Sequence, residues 1–268
     1  MKLTVLVDNY TYIDQYFLGE PALSFYIEEE GQKILFDTGY SDVLIHNAKK
    51  LGIDLNQLDT IVLSHGHNDH TGGLAYLVNQ MSLQNTKLVA HLLCFNQKQD
   101  EGEAIGSPLS RQQLDQCCQL SLTNKPTWLS EKLLFLGEIP RRFGFEGQQS
   151  IGMSCENDQW SEDAVLDDSA LVYQSETGLV IITGCSHSGI CNIIEYAKEI
   201  CQDQRINGVI GGFHLFELDE QLFKTQAYFA ENQVKSLYPC HCVSFAVKAK
   251  INEKIPVREV AVGLSLIW

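Results

Sequence analysis

The sequence predicts an α/β chain made of two similar strand-and-helix halves packed sheet against sheet. Three observations carry that expectation. Strand-like runs are followed by helical ones in both halves of the chain, and the second half repeats the order of the first. The 268 residues contain no long Pro, Gly or Ser linker and can bury the core of a single domain spanning 1–268.

In chain order, Lys2 to Val7, Leu23 to Glu28 and Lys33 to Asp37 read as strands, the last two joined through Glu30 and Gly31 as a hairpin. Thr38 and Gly39 turn the chain, and Ser41 or Asp42 can cap a helix running to about Leu51. A buried strand, Ile61 to Ser64, ends in a histidine-rich turn at 65–70; Gly72 opens a helix, and Lys87 to His91 is a further strand. Residues 94–131 are glutamine-rich, carry Gly102, Gly106 and Pro108, and contain a helix expected from Ser110 to Gln119. They read as a helical excursion over one face, either a lid or a structural connection.

The second half follows the same plan. Ala170 to Tyr173 and Gly178 to Thr183 form a hairpin, Ile190 to Gln202 a helix, and Gly208 to Ile210 a strand ending at Phe213 and His214. Lys235 to Tyr238 leads to Cys240, His241 and Cys242, then a helix to about Ile251 and a closing strand from Val257 to Leu266. Aligned halves place Asp37-Thr38-Gly39 near Thr183-Gly184-Cys185, and the 64–67 turn opposite Gly211 to His214, so both sets of turns are expected at one edge.

The formal net charge of −15, from 34 acidic and 19 basic residues, repels phosphate backbones and anionic lipid and disfavours a nucleic-acid or membrane partner. Local basic residues such as Arg141 and Arg142 can still hold one small anion. Nine scattered cysteines, an odd number, fit reduced thiols, and the strand-like N-terminus without a signal-peptide pattern points to a cytoplasmic protein.

The chemistry concentrates in IVLSHGHNDHTGGL. His65, His67, Asp69 and His70 put four metal-competent side chains within six positions on a strand-to-helix turn. Imidazole with carboxylate suits zinc, iron or manganese, and a pair of such ions can polarise a substrate and generate hydroxide near neutral pH.

This stretch resembles the HxHxDH motif of the metallo-β-lactamase superfamily. The longer text from Gly31 to Leu74, with GEIPR, LDDSALVY, TGCSHSGI, GGFHL and PCHC, is similar to the branch that includes archaeal synthases joining a dihydropterin to ribofuranosylaminobenzene phosphate. The resemblance implies a four-layer α/β/β/α sandwich, and two zinc ions at its edge. It also implies His241 as the last ligand, and places Cys185 where many members carry a bridging aspartate. The usual Gly-His-Thr histidine is absent; Gly137 and Glu138 stand there instead, so Cys185, His187 or Glu138 is left to complete the ligand set.

Among the other candidates, Asp37 fits a carboxylate that orients a ligand histidine. His214 ends a glycine-rich strand and can contact substrate phosphate, transfer a proton, bind metal or make a structural hydrogen bond. Asp167 and Asp168 can cap or turn, yet the resemblance places both close to the site edge; Asp168, Glu138, Arg141 and Arg142 are the substrate-binding candidates, the two arginines being either an anion grip or a solvated pair. His91 reads as structural and His46 as a surface residue; Cys240 and Cys242, alternating with His241, read as small core residues. Cys185 and His187 share parity, so both would face the ions if that stretch were extended.

Two activities follow. One is a metal-dependent hydrolase, with His65, His67 and His187 on one ion and Asp69, His70 and His241 on the other. Asp69 would orient a metal-bound hydroxide toward a small ester-like substrate, phosphorylated or not. The other is a transferase condensing a dihydropterin diphosphate with an aminobenzene ribose phosphate, which rests on the branch resemblance. A degenerate, non-catalytic ligand-binding protein is the third class.

Overall fold

Strands and helices alternate through all of residues 1–268 in the computed structural model. The order is β1 (Lys2–Val7), β2 (Ser24–Glu29), β3 (Gln32–Phe36), α1 (Val43–Lys50), β4 (Thr60–Val62), α2 (Asn68–Thr71), α3 (Leu74–Gln80) and β5 (Lys87–Ala90). It continues with β6 (Gln97–Asp100), β7 (Glu103–Ala104), α4 (Arg111–Asp115), β8 (Gln119–Leu122), β9 (Thr127–Trp128), β10 (Leu133–Phe135), β11 (Met153–Glu156) and β12 (Gln159–Glu162). The remainder is β13 (Ala170–Ser175), β14 (Gly178–Thr183), α5 (Ile190–Cys201), β15 (Ile206–Gly211), α6 (Glu220–Glu231), β16 (Leu237–Pro239), α7 (Phe245–Asn252) and β17 (Ser265–Ile267). No helix is long and apolar enough to cross a membrane.

The elements group into two compact units. The first comprises Met1–Asn124, Ser150–Asp167 and Ala261–Ile267, and holds a seven-stranded sheet, β17-β1-β2-β3-β4-β5-β8, with a four-stranded one, β12-β11-β6-β7. Leu44 and Ala48 of α1, Leu74 and Leu77 of α3 and Leu114 of α4 pack on Leu6, Leu35, Ile61 and Leu88 of the large sheet. The alternate strand residues, Val5, Phe25, Phe36, Val62 and Val89, are fully buried too, as the continuous apolar runs of central strands require. β3, β4, β5 and β8 are parallel, so the chain leaves them all at one edge.

The second unit comprises Lys125–Gln149, Asp168–Val260 and Trp268, and holds the sheet β16-β15-β14-β13-β10-β9. Ile190, Ile193, Ile194 and Ala197 of α5, Leu222 and Phe229 of α6, and Val247 and Ile251 of α7 cover Val172, Leu179, Ile181 and Val209. Here β14, β15 and β16 are parallel and again discharge their turns at one edge.

Three expectations are corrected. Residues 94–131 hold four short strands and a single short helix: α4 spans only Arg111–Asp115, capped by Ser110 and Gln113, because Gln119–Leu122 joins the sheet beside β5. Ladder hydrogen bonds there override helix-favouring glutamines. The helix expected from Gly72 starts earlier, at Asn68, and breaks at Gly72-Gly73. The closing strand shrinks to Ser265–Ile267 on β1, since Gly263 turns the chain through φ +91° before it.

Candidate metal centre

In the first unit, the ends of β3 and β4 bring Asp37 and Ser64 side by side. Asp37 Oδ1 accepts from Ser64 N at 2.7 Å, and Oδ2 accepts from Ser64 Oγ at 2.7 Å. Ser64 has one hydroxyl proton, which it gives to Asp37, so at 2.9 Å it accepts from His65 Nδ1–H. That leaves a lone pair on His65 Nε2. His70 Nδ1 donates to Asp37 Oδ2 at 2.7 Å, which in the same way puts the ring's lone pair on Nε2, beside Asp69. Asp37, expected to orient a histidine, thus serves both rings, and it does so from the left-handed conformation at φ 56°.

His65 Nε2 and His67 Nδ1 lie 3.1 Å apart. Two nitrogens bound tetrahedrally to one zinc ion at about 2.0–2.1 Å would be about 3.3 Å apart, so this pair is already set for a shared ion. His65, His67 and Asp69 offer donor atoms within 4.8 Å of one another, and Asp69 Oδ2 is 3.5 Å from His70 Nε2. The donor set therefore fits a transition metal. Burial, followed by the nearby Lys98 ammonium, pushes His67 down to about 4, so it is the neutral ligand form at pH 7. Burial alone would lower His70 as well, but the Asp69 and Asp37 carboxylates outweigh it and hold that ring well above its ordinary value. A field that favours imidazolium there also favours a metal cation.

The turn is braced by Asp167, which the sequence reading placed near the site edge, and by Lys98 and Asp163, which it did not single out. Gly66 N donates to Asp167 Oδ2 at 2.7 Å, and Asp167 Oδ1 accepts from Lys98 Nζ at 2.9 Å. Lys98 also donates to Asp163 Oδ2 at 2.6 Å, and all three side chains are buried. A Cβ at Gly66 would come within 2.0 Å of the Cys94 carbonyl, so only glycine admits this close approach. Burial would raise Asp167, but Lys98 and the Gly66 N–H hold it below the ordinary carboxylate value. Partners 65 to 101 residues apart leave no local spacing signal.

In the second unit, the turns after β14, β15 and β16 carry Cys185, His214 and Cys242, whose donor atoms also lie within 4.8 Å of one another. His214 N donates to Cys242 Sγ at 3.3 Å, and the His187 and His214 rings are 4.5 Å apart. Burial would raise the Cys242 thiol, but the Cys185 side chain and the neighbouring His214 and His241 outweigh it and hold it well below its ordinary value. The donor atoms of Cys185 and His187 lie within 4.8 Å of each other, but not because the stretch is extended. Ser186, His214 and His241 adopt left-handed φ of 61°, 48° and 52°, so neither turn is extended. Cys240 is a fully buried core residue as expected, whereas Cys242 swings away from it toward Cys185.

His187 and His241 are nearly buried, at 8% and 9% exposure. Asp168 Oδ2 accepts from Ser188 N at 2.9 Å and from the Ser188 hydroxyl. Arg141 Nη1 donates to the Gly147 carbonyl at 2.7 Å, and the Arg142 guanidinium pairs with Glu199. Glu138 is exposed in the loop after β10, and His46 is exposed on α1. His91 is buried and accepts from Leu93 N at 3.2 Å, a local structural bond. Another unforeseen carboxylate is Glu146, buried at the start of α5, where it accepts from Asn192 N at 2.6 Å and Cys191 N at 3.2 Å.

Residues 18–82 match the family model of the metallo-β-lactamase superfamily. The 7,8-dihydropterin-6-methyl-4-(β-D-ribofuranosyl)-aminobenzene-5'-phosphate synthase of Methanocaldococcus jannaschii is 31% identical, with 95% of this chain and 91% of the relative covered. An uncharacterized protein of the same organism is 31% identical, with 94% of each chain covered. The crystal structure of Tm1679, described as a metal-dependent hydrolase of the β-lactamase superfamily, superposes with a TM-score of 0.85 at 30% identity, covering 100% of this chain and 99% of the other. With relatives 31% identical over more than nine-tenths of both chains, and a solved structure of the superfamily at 30% identity sharing the fold, the chain belongs to the metallo-β-lactamase superfamily.

Proposed function

We propose that the chain is a metal-dependent hydrolase acting on a small, anionic, ester-like substrate. In this reading His65, His67, Asp69 and His70 are ligands of a transition-metal centre, zinc being the expected metal. The observation that carries it is the 3.1 Å separation of His65 Nε2 and His67 Nδ1, with Asp69 in the same donor group. Bound ions of this class polarise a substrate oxygen and bring the pKa of water toward neutrality.

The chain's own groups supply the rest. Asp37 and Ser64 hold the His65 and His70 rings in the tautomers that leave Nε2 toward the site. Asp69 is 28% exposed at its side chain while His70 is sealed, which suits it to orient an attacking water and take its proton. The relative described as a metal-dependent hydrolase supports this reading.

A second reading is favoured by the synthase relative at 31% identity: a transferase condensing a dihydropterin diphosphate with an aminobenzene ribose phosphate. The test is elemental analysis of protein purified without chelator, then assays on phosphodiester, lactone and thioester panels and on the synthase substrate pair. Hydrolysis abolished by chelation and restored by zinc supports the first reading. Formation of the condensed product without hydrolysis favours the second, and a metal-free protein inactive in every assay after zinc loading overturns both.

A further inference from the structure

We propose that Lys98 is a positioning residue for the histidine turn, holding His67 in place through both of its chain neighbours. Its ammonium acts on Gly66 by way of Asp167, and its backbone carbonyl acts on Asn68 by way of Ile105. The inference rests on the reading of that turn as a metal centre and concerns the first unit alone. It gives residues 97–106, within the excursion at 94–131, the task of setting one ligand of that centre.

On one side of His67, Lys98 Nζ donates to Asp167 Oδ1 at 2.9 Å, and Asp167 Oδ2 accepts from Gly66 N at 2.7 Å. On the other side, Lys98 O accepts from Ile105 N at 3.0 Å, and Ile105 O accepts from Asn68 N at 2.8 Å. His67 itself pairs with Gly106 in an isolated antiparallel bridge, and Asn68 Nδ2 donates to the Ala104 carbonyl at 3.3 Å. The β6–β7 hairpin thereby lies against the turn, with Gln99 opposite Ala104 in its own ladder. β11 fixes β6 from the other edge, with Ser154 opposite Lys98. A Cβ at Gly106 would stand 3.0 Å from Lys98 N, so a bare backbone there lets the hairpin close onto the turn.

Lys98 is 3% exposed and also donates to Asp163 Oδ2 at 2.6 Å, so neither its stem nor its charge is free to move. A metal ligand must be held within about 0.5 Å of its productive position, and a side chain on a turn reaches that only when the flanking backbone is fixed. Fixing the amides on either side of His67 keeps its Nδ1 at 3.1 Å from His65 Nε2. A role through charge alone has the opposite sign: an ammonium near the turn repels a bound cation, so its removal would tighten metal binding.

The experiment compares Asp167→Leu, Asp167→Asn and Lys98→Met with the unaltered protein by zinc competition against a chromophoric chelator. Both Asp167 variants lose the charge that Lys98 neutralises, but only asparagine keeps an oxygen for the Gly66 N–H. The expected result is zinc affinity about 10–100-fold weaker in Asp167→Leu and in Lys98→Met, and close to the unaltered value in Asp167→Asn. Equal affinity in the two Asp167 variants, or tighter binding in Lys98→Met, overturns the positioning role and leaves the metal centre standing. Unaltered protein that takes up no zinc overturns the metal centre and the proposal with it. Should the variants fail to fold, amide hydrogen exchange on the unaltered, metal-free protein decides. Gly66 and Asn68 protected as strongly as β4 support the two arms, and free exchange at both until zinc is added overturns them.

Discussion

Asp167 accepts a 2.7 Å hydrogen bond from the backbone N–H of Gly66, the residue between His65 and His67, across 101 positions of sequence. The same carboxylate is neutralised by Lys98, which also holds Asp163. A buried cation with two buried anions thus anchors the histidine turn from outside its own segment.

Lys98→Met should therefore destabilise the protein by about 3–5 kcal/mol, since it leaves two buried carboxylates without their counter-charge. Urea denaturation at pH 7 checks this. Asp167 has its folded pKa depressed below 3.8, so its contribution is present above that value and is lost as pH falls through the lower folded one. In Lys98→Met that depression should vanish, and acid unfolding should begin at higher pH than in the unaltered protein.

Asp69→Asn should keep the fold, as circular dichroism would show, while turnover on the hydrolysed substrate falls by about 10²–10³-fold. Asparagine retains the shape but loses the charge needed to hold a cation and accept a proton. Unchanged turnover would count against hydrolysis through this turn.

Asp37→Asn removes the charge that orients His70 and, through Ser64, His65. Zinc affinity, read by competition with a chromophoric chelator, should weaken by about 10–100-fold. The variant tests the role of Asp37 without touching a proposed ligand.

Glu146 should make stability pH-dependent in a defined window. Burial pushes its carboxyl up from 4.5 to about 7, against the opposing pull of the Asn192 and Cys191 N–H groups. The folded state then keeps a proton that the unfolded chain loses. Its contribution is fully present below pH 4.5 and is lost as pH rises through about 7, an effect on the order of 3 kcal/mol. Urea midpoints at pH 5 and pH 8 should differ less in Glu146→Gln than in the unaltered protein.

The α/β class and the histidine turn were legible in the sequence because both are local. A run of four apolar or small residues ending in His65, His67, Asp69 and His70 states a strand exit and its chemistry within ten positions. The hairpins β2–β3 and β13–β14 were legible for the same reason. Residues 94–131 were not, since Gln119–Leu122 becomes a strand only by pairing with β5, which its own glutamine-rich text does not announce.

Sequence by itself also determined that Cys185, His214 and Cys242 follow strands; it could not determine that their donor atoms meet. Strand parity assigned Cys242 to the core, and the left-handed turn at His241 reversed that assignment. The Lys98, Asp163 and Asp167 cluster was equally hidden. Which distant side chains meet depends on strand order and on single backbone reversals, and neither is encoded in the spacing of neighbouring residues. The tertiary structure decided both by laying parallel strands side by side, so that turns dozens of residues apart leave the sheet together.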